Sequence, residues 1–152
     1  MNLRKLGLLL LVTCLFFSLS CSKKDIAETR LLLTRDEVTE GEFPSNLTPI
    51  DAVKRYVIAQ FTRNTEELRL AISKDLSEKM GVEFYPPSFG ISSPWVEQAE
   101  ILQQNGASTN KWRYVVKYRM ANSQGLVGTK TEYVEVIEIN KKYYVDNITT
   151  KI

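Results

Sequence analysis

Histidine is absent from all 152 residues. Its absence removes the commonest general base and metal ligand, and every Ser-His or Cys-His arrangement with them. Cysteine occurs only at Cys14 and Cys21, so a domain built from the rest of the chain has no internal disulfide, thiolate nucleophile or cysteine metal site. Excess charge is also missing. Of 20 Lys and Arg, only Arg4 and Lys5 lie in the first twenty positions, which hold no Asp or Glu; the remainder therefore balances 18 cations against 18 anions. Nucleic acid binding by counterion release draws on a basic excess, and none remains here, so no nucleic-acid partner is expected. Phosphate-cradling glycine loops, nucleophile elbows and paired metal-ligand spacings are lacking too, so neither a metal nor any cofactor is expected. With 43% hydrophobic and 25% charged residues, 7 Gly and 5 Pro, the composition is that of a globular chain and excludes a disordered or collagenous one. Stability must come from a core.

The first twenty residues are the most distinctive part. Arg4 and Lys5 precede an apolar run over residues 6–19, relieved by Gly7, Thr13, Cys14 and Ser18. This is the layout of a signal peptide, and the run is short for a helix that must cross about 30 Å of hydrocarbon. It closes on Ser18-Leu19-Ser20-Cys21, followed by the polar Ser22-Lys23-Lys24-Asp25. That close resembles the lipobox of bacterial lipoproteins, with Ser18 and Leu19 transposed from the usual order. A second register, Leu11-Val12-Thr13-Cys14, puts its cysteine mid-run. The resemblance implies cleavage before Cys21, attachment there of a diacylglycerol and acyl chains such as palmitate, and a protein held on the extracytoplasmic side of a cell membrane. Two chains hold a protein to a bilayer where one alone binds it reversibly.

Residues 1–20 are thus expected as a signal peptide, 21–47 as a polar tether with one helical turn around Leu31-Leu32-Leu33 or docking of those leucines, and 48–152 as a single domain. Thr48-Pro49-Ile50-Asp51 opens a helix: Thr48 caps, Pro49 takes the first position, and Asp51 complements the dipole. Ile50, Val53, Val57 and Phe61, with Tyr56 beside them, mark its buried side. Asn64-Thr65-Glu66-Glu67 recaps a second helix bearing Leu68, Ala71 and Ile72, and residues 74–80 add a short third before Gly81. Strands follow: a short one at 82–85, a mixed one at 95–104, and the clearest at 112–120. There Trp112, Tyr114, Val116, Tyr118 and Met120 alternate with Arg113, Val115, Lys117 and Arg119. A long strand at 126–139 slips in alternation near Val136-Ile137, as a bulge would require, and a last one follows Asn140-Lys141-Lys142. Helices first and then an antiparallel meander predict an α+β fold.

That order, ending in Val134-Glu135-Val136 and Lys142-Tyr143-Tyr144-Val145-Asp146-Asn147-Ile148, resembles the nuclear transport factor 2-like fold, the cone shared with ketosteroid isomerase. The resemblance implies N-terminal helices wrapped by a strongly curved antiparallel sheet, a cone-shaped half barrel with a cavity at its wide end. Tyr56, Trp112, Tyr114 and Tyr118 are the candidate cone lining, or plain core. Arg113, Lys117 and Arg119 form a candidate interaction face for an acidic partner, or an ordinary solvated one. Enzymes on this cone work from side chains inside the cavity; a carboxylate base would be Asp146, Glu135, Glu97 or Glu100, each expected to face solvent. Asn46-Leu47-Thr48 and Asn147-Ile148-Thr149 read as chance sequons. The expectation is a membrane-anchored, non-catalytic module, alone or as a homodimer, that binds an envelope protein or a small apolar ligand. The alternative is an envelope isomerase or hydrolase using one buried carboxylate.

Overall fold

The computed structural model describes residues 30–38, 42–81, 94–104 and 110–151. The expected signal peptide, the expected lipidation site Cys21 and the short strand expected at 82–85 all lie outside these residues. Strand β1 (Arg30–Thr34) and a 3-10 turn (Arg35–Glu37) precede helices α1 (Pro49–Thr62), α2 (Thr65–Ala71) and α3 (Lys74–Met80). Strands β2 (Trp95–Gln104), β3 (Lys111–Asn122), β4 (Gly125–Ile139) and β5 (Lys142–Lys151) complete the chain. All five strands form one antiparallel sheet in the order β1-β2-β3-β4-β5, with the helices packed on it: an α+β fold.

The helices form where their ends are satisfied. Thr48 Oγ1 accepts the Asp51 amide at 3.3 Å and donates to Asp51 Oδ2 at 2.6 Å, while Pro49 stands in the first turn, where a missing N–H costs nothing. Arg63 takes the left-handed conformation that ends α1, and Asn64 caps α2 by accepting from the Glu67 amide at 3.1 Å. Ser73 likewise caps α3. The Arg55 guanidinium ties α1 to α2 through Glu67, 2.6 Å away and largely shielded. Val53, Tyr56, Val57 and Phe61 are buried against the inner face of the sheet, with Ile101, Tyr114, Val116, Val134, Val136 and Val145 opposite them. Removing this apolar surface from water is the main stabilising term.

Two expectations need correction. Residues 30–34 are neither tether nor helical turn. Leu31 and Leu33 alternate inward onto the core while Leu32 stays exposed, pairing opposite Ile101, Ala99 and Glu100 respectively. Three leucines, helix formers by intrinsic preference, gain a ladder and half a core beside the β2 edge, which an isolated helical turn cannot offer. Asn46 is likewise docked: its side-chain Nδ2 donates to the Leu70 carbonyl at 2.7 Å, and its backbone carbonyl accepts the Tyr143 amide at 3.0 Å.

The second correction concerns the bulge. In β4 the alternation holds through Glu132, Val134 and Val136; the extra residue is Asp146 on β5, skipped between the pairs Glu135 with Asn147 and Val136 with Val145. Two further shifts skip Glu97 on β2 and Val127 on β4. The shift at Glu97 explains why Val96 and Ala99 share a face at odd spacing. The sheet is not strongly curled. The shifts at Glu97 and Val127 lie at the β3–β4 turn end and the third toward the β4–β5 turn, so none bends its middle.

Candidate functional site

The chemistry of the inner face centres on Glu132, which the sequence reading did not single out. It sits in register with Val116 and Thr150 and is 2% exposed. The Tyr56 hydroxyl, from α1, and the Tyr118 hydroxyl, from β3, each donate to Glu132 Oε2 at 2.9 Å. Its other oxygen meets Lys130 Nζ at 2.5 Å, and that ammonium also lies 5.5 Å from the Tyr118 ring centroid. Burial, and then the negative charge of Glu132, push the Tyr56 hydroxyl well above the ordinary tyrosine value. Tyr118 is raised in the same way by burial and then by its neighbours Tyr56 and Glu132. Both therefore remain neutral donors at physiological pH, as a buried carboxylate requires. A signal for Glu132 was available. Counting back by twos from the inward Val136 and Val134 reaches Glu132 and then Lys130.

The expected lining residues are placed as follows. Tyr56, Tyr114 and Tyr118 are buried, and Tyr56 and Tyr118 converge on Glu132. Tyr114 stays apart, its hydroxyl pushed up to about 12 by burial and then by Asp51. Trp112 is only partly buried and meets Tyr143 edge-on, with centroids 5.0 Å apart. On the outer face Arg113, Lys117 and Arg119 are exposed and close to acceptors. Arg113 pairs with Glu135 at 2.9 Å, Lys117 with Glu100 at 3.8 Å, and Arg119 donates to Gln98 at 3.0 Å. Glu100 also pairs with Arg30. Flanking strands thus offset the cationic row.

Of the expected carboxylates, Glu135 and Glu100 are in those pairs, and Glu97 accepts from the Trp95 indole at 3.0 Å. Asp146 is different: its bulge turns it toward the helices, where it accepts the Ser73 hydroxyl at 2.7 Å. Beside it the Ser73 amide donates to the Val145 carbonyl at 2.7 Å, and Ile72 bridges Val145. These contacts close part of the β5 edge and hold the α2–α3 junction over the β4–β5 turn.

Between that junction and the turn opens a cleft of about 670 Å³. Ile72, Ile139 and Tyr144 give it an apolar wall; Arg69, Lys74 and Lys142 supply three cations, and among the described residues no carboxylate lines it. Neither Glu132 nor Tyr56 lines this cleft, nor either of two smaller ones among the described residues, of about 360 and 240 Å³, along the sheet. Among the described residues no group of three or more Cys, Asp or Glu could hold a metal ion, and no helix is long and apolar enough to cross a membrane. The chain matches no family model, no curated protein and no solved structure.

Proposed function

We propose that this protein is an extracytoplasmic lipoprotein, held to a cell membrane by acyl chains on Cys21, whose folded body is a non-catalytic binding module at the envelope. The observation that carries the non-catalytic part is the enclosure of Glu132. Two hydroxyls and an ammonium take three of the roughly four acceptor sites of this carboxylate, the deepest among the described residues, and it lines none of the described clefts. A general base must reach the proton it takes. The cleft under the α2–α3 junction has the opposite character, open and mixed apolar and cationic, which suits recognition of an anionic or amphiphilic group. Support for the anchor is the signal-like run of residues 1–20 and its close on Ser20-Cys21. Kinship with nuclear transport factor 2-like domains belongs to the same reading. It is supported by the order of helices before long strands and by the Tyr56 and Phe61 side of α1 under the sheet; strand β1 is an addition to that order.

Mass spectrometry of protein purified from membranes tests the anchor, with an acylated Cys21 at the amino end as the expected result and a free thiol as the overturning one. A turnover assay of the same material tests the rest. Activity abolished by Glu132→Gln would replace the binding reading with a catalytic one.

A further inference from the structure

We infer that the cleft between the α2–α3 junction and the β4–β5 turn seats the anionic headgroup of a phospholipid in the membrane that anchors the protein, so that the body rests on the bilayer with this turn downward. The inference rests on the lipoprotein reading above and adds the ligand class and the orientation.

The first argument is where the chain enters the sheet. Arg30 is level with Leu102, and Leu102 with Val115. From that level the sheet runs four residues to Lys111 at the β4–β5 turn end and eight to Ser123 at the β3–β4 turn, roughly 13 and 26 Å at the strand rise. Cys21 lies nine residues before Arg30, a reach of at most about 32 Å. Contact through the β4–β5 end needs less than half of that reach. Contact through the β3–β4 end would need nearly all of it, doubled back along the body.

The second argument is charge. At the β4–β5 end Lys142 and Lys74, the latter 3.7 Å from Glu78, line the cleft, and Lys111 and Lys141 stand exposed at the same end with Glu138 as the exposed anion of the turn. Each lysine near an anionic leaflet contributes about 1 kcal/mol of attraction, a factor of about five. The β3–β4 turn, Asn122 to Gly125, carries no charge, although Leu126 and Val127 are exposed there.

The third is the apolar surface around the cleft. Leu47, Leu70 and Ile139 are each more than 40% exposed. The bonds of Asn46 to Leu70 and Tyr143 gather them at this end, which gives the headgroup region an apolar boundary to meet. Lys141 itself occupies a left-handed position, φ 63°, in the tight turn closed by Ile139 and Lys142. Glycine would sit there at lower cost.

The test uses acylated protein in vesicles, with a nitroxide at Glu138→Cys or, as the far-end control, at Ser123→Cys, and reads exposure to an aqueous relaxation agent. In vesicles containing phosphatidylglycerol the Glu138 label becomes shielded relative to pure phosphatidylcholine, while the Ser123 label does not change. Lys74→Gln and Lys142→Gln each reduce that preference by about fivefold. Lys141→Gly reduces it by a similar factor without lowering the melting temperature. A Glu138 label equally exposed in both vesicles, or a Ser123 label shielded instead, overturns the inference and leaves the lipoprotein reading intact. Absence of acyl groups from Cys21 removes both.

Discussion

The two faces of the sheet handle charge in opposite ways. On the inner face Glu132, the one fully buried carboxylate among the described residues, is surrounded by two neutral hydroxyls and one ammonium that reaches toward solvent. On the outer face Arg30, Glu100, Lys117, Arg113 and Glu135 form a ladder of ion pairs that remain largely hydrated on their cationic side. Outnumbering the inner network does not make the ladder the stronger element. An exposed pair exchanges good hydration for a weak attraction, whereas a buried carboxylate that loses a partner keeps its full desolvation penalty. The inner network therefore fixes the docking of α1 on β3 and β4, and the outer one mainly keeps the face soluble.

The largest expected break in this contrast is Glu132→Ala. It strands two buried hydroxyls and should cost about 3–5 kcal/mol in urea unfolding. Glu132→Gln, which keeps an acceptor for both tyrosines, should recover a good part of that loss. Next comes Tyr118→Phe, which removes one donor from a charged acceptor and should cost about 1.5–3 kcal/mol by the same measurement. Ser73→Ala, losing the α3 cap and the bond to Asp146, should cost about 0.5–2 kcal/mol. At the small end, Arg113→Ala should change stability by no more than about 1 kcal/mol, and less in high salt. An Arg113→Ala loss as large as that of Tyr118→Phe would erase the distinction between the faces.

Alkaline titration sharpens the same comparison. Tyr56, Tyr114 and Tyr118 hold their protons in the folded state above the ordinary value near 10, Tyr114 to about 12. The unfolded chain releases protons first, so stability is complete below pH 10 and falls as pH rises from 10 toward 12 and beyond. Phenolate absorbance should show these three tyrosines ionising late or together with unfolding. The loss should be smaller in Tyr118→Phe.

Much of the fold was legible because its signals are local. Thr48-Pro49, Asn64 and Ser73 are caps whose chemistry lies within three residues. The alternation from Trp112 to Met120 needs only a pleat. Strand β1 was not legible: Leu31-Leu32-Leu33 has no period of its own, and only the free edge of β2 makes it a strand. The burial of Tyr56, Tyr114 and Tyr118 follows from their positions in apolar patterns, whereas Glu132 is not legible from residue type, because a charged residue in a strand faces solvent by default, as is expected of Asp146, Glu135, Glu97 and Glu100. The Tyr56 partner of Glu132 is 76 positions away.

By itself the sequence determined the helix starts, the alternating strands, the lack of histidine, the confinement of cysteine to Cys14 and Cys21, and the apolar run of residues 6–19 behind Arg4 and Lys5. Each of these depends on residue type and near-neighbour spacing. Tertiary structure alone decided which carboxylate is buried, that Asp146 turns toward Ser73, and that cations from α2, α3 and β5 share one cleft. Which way a strand residue faces depends on register, and register is set by partners and skipped residues far away in the chain.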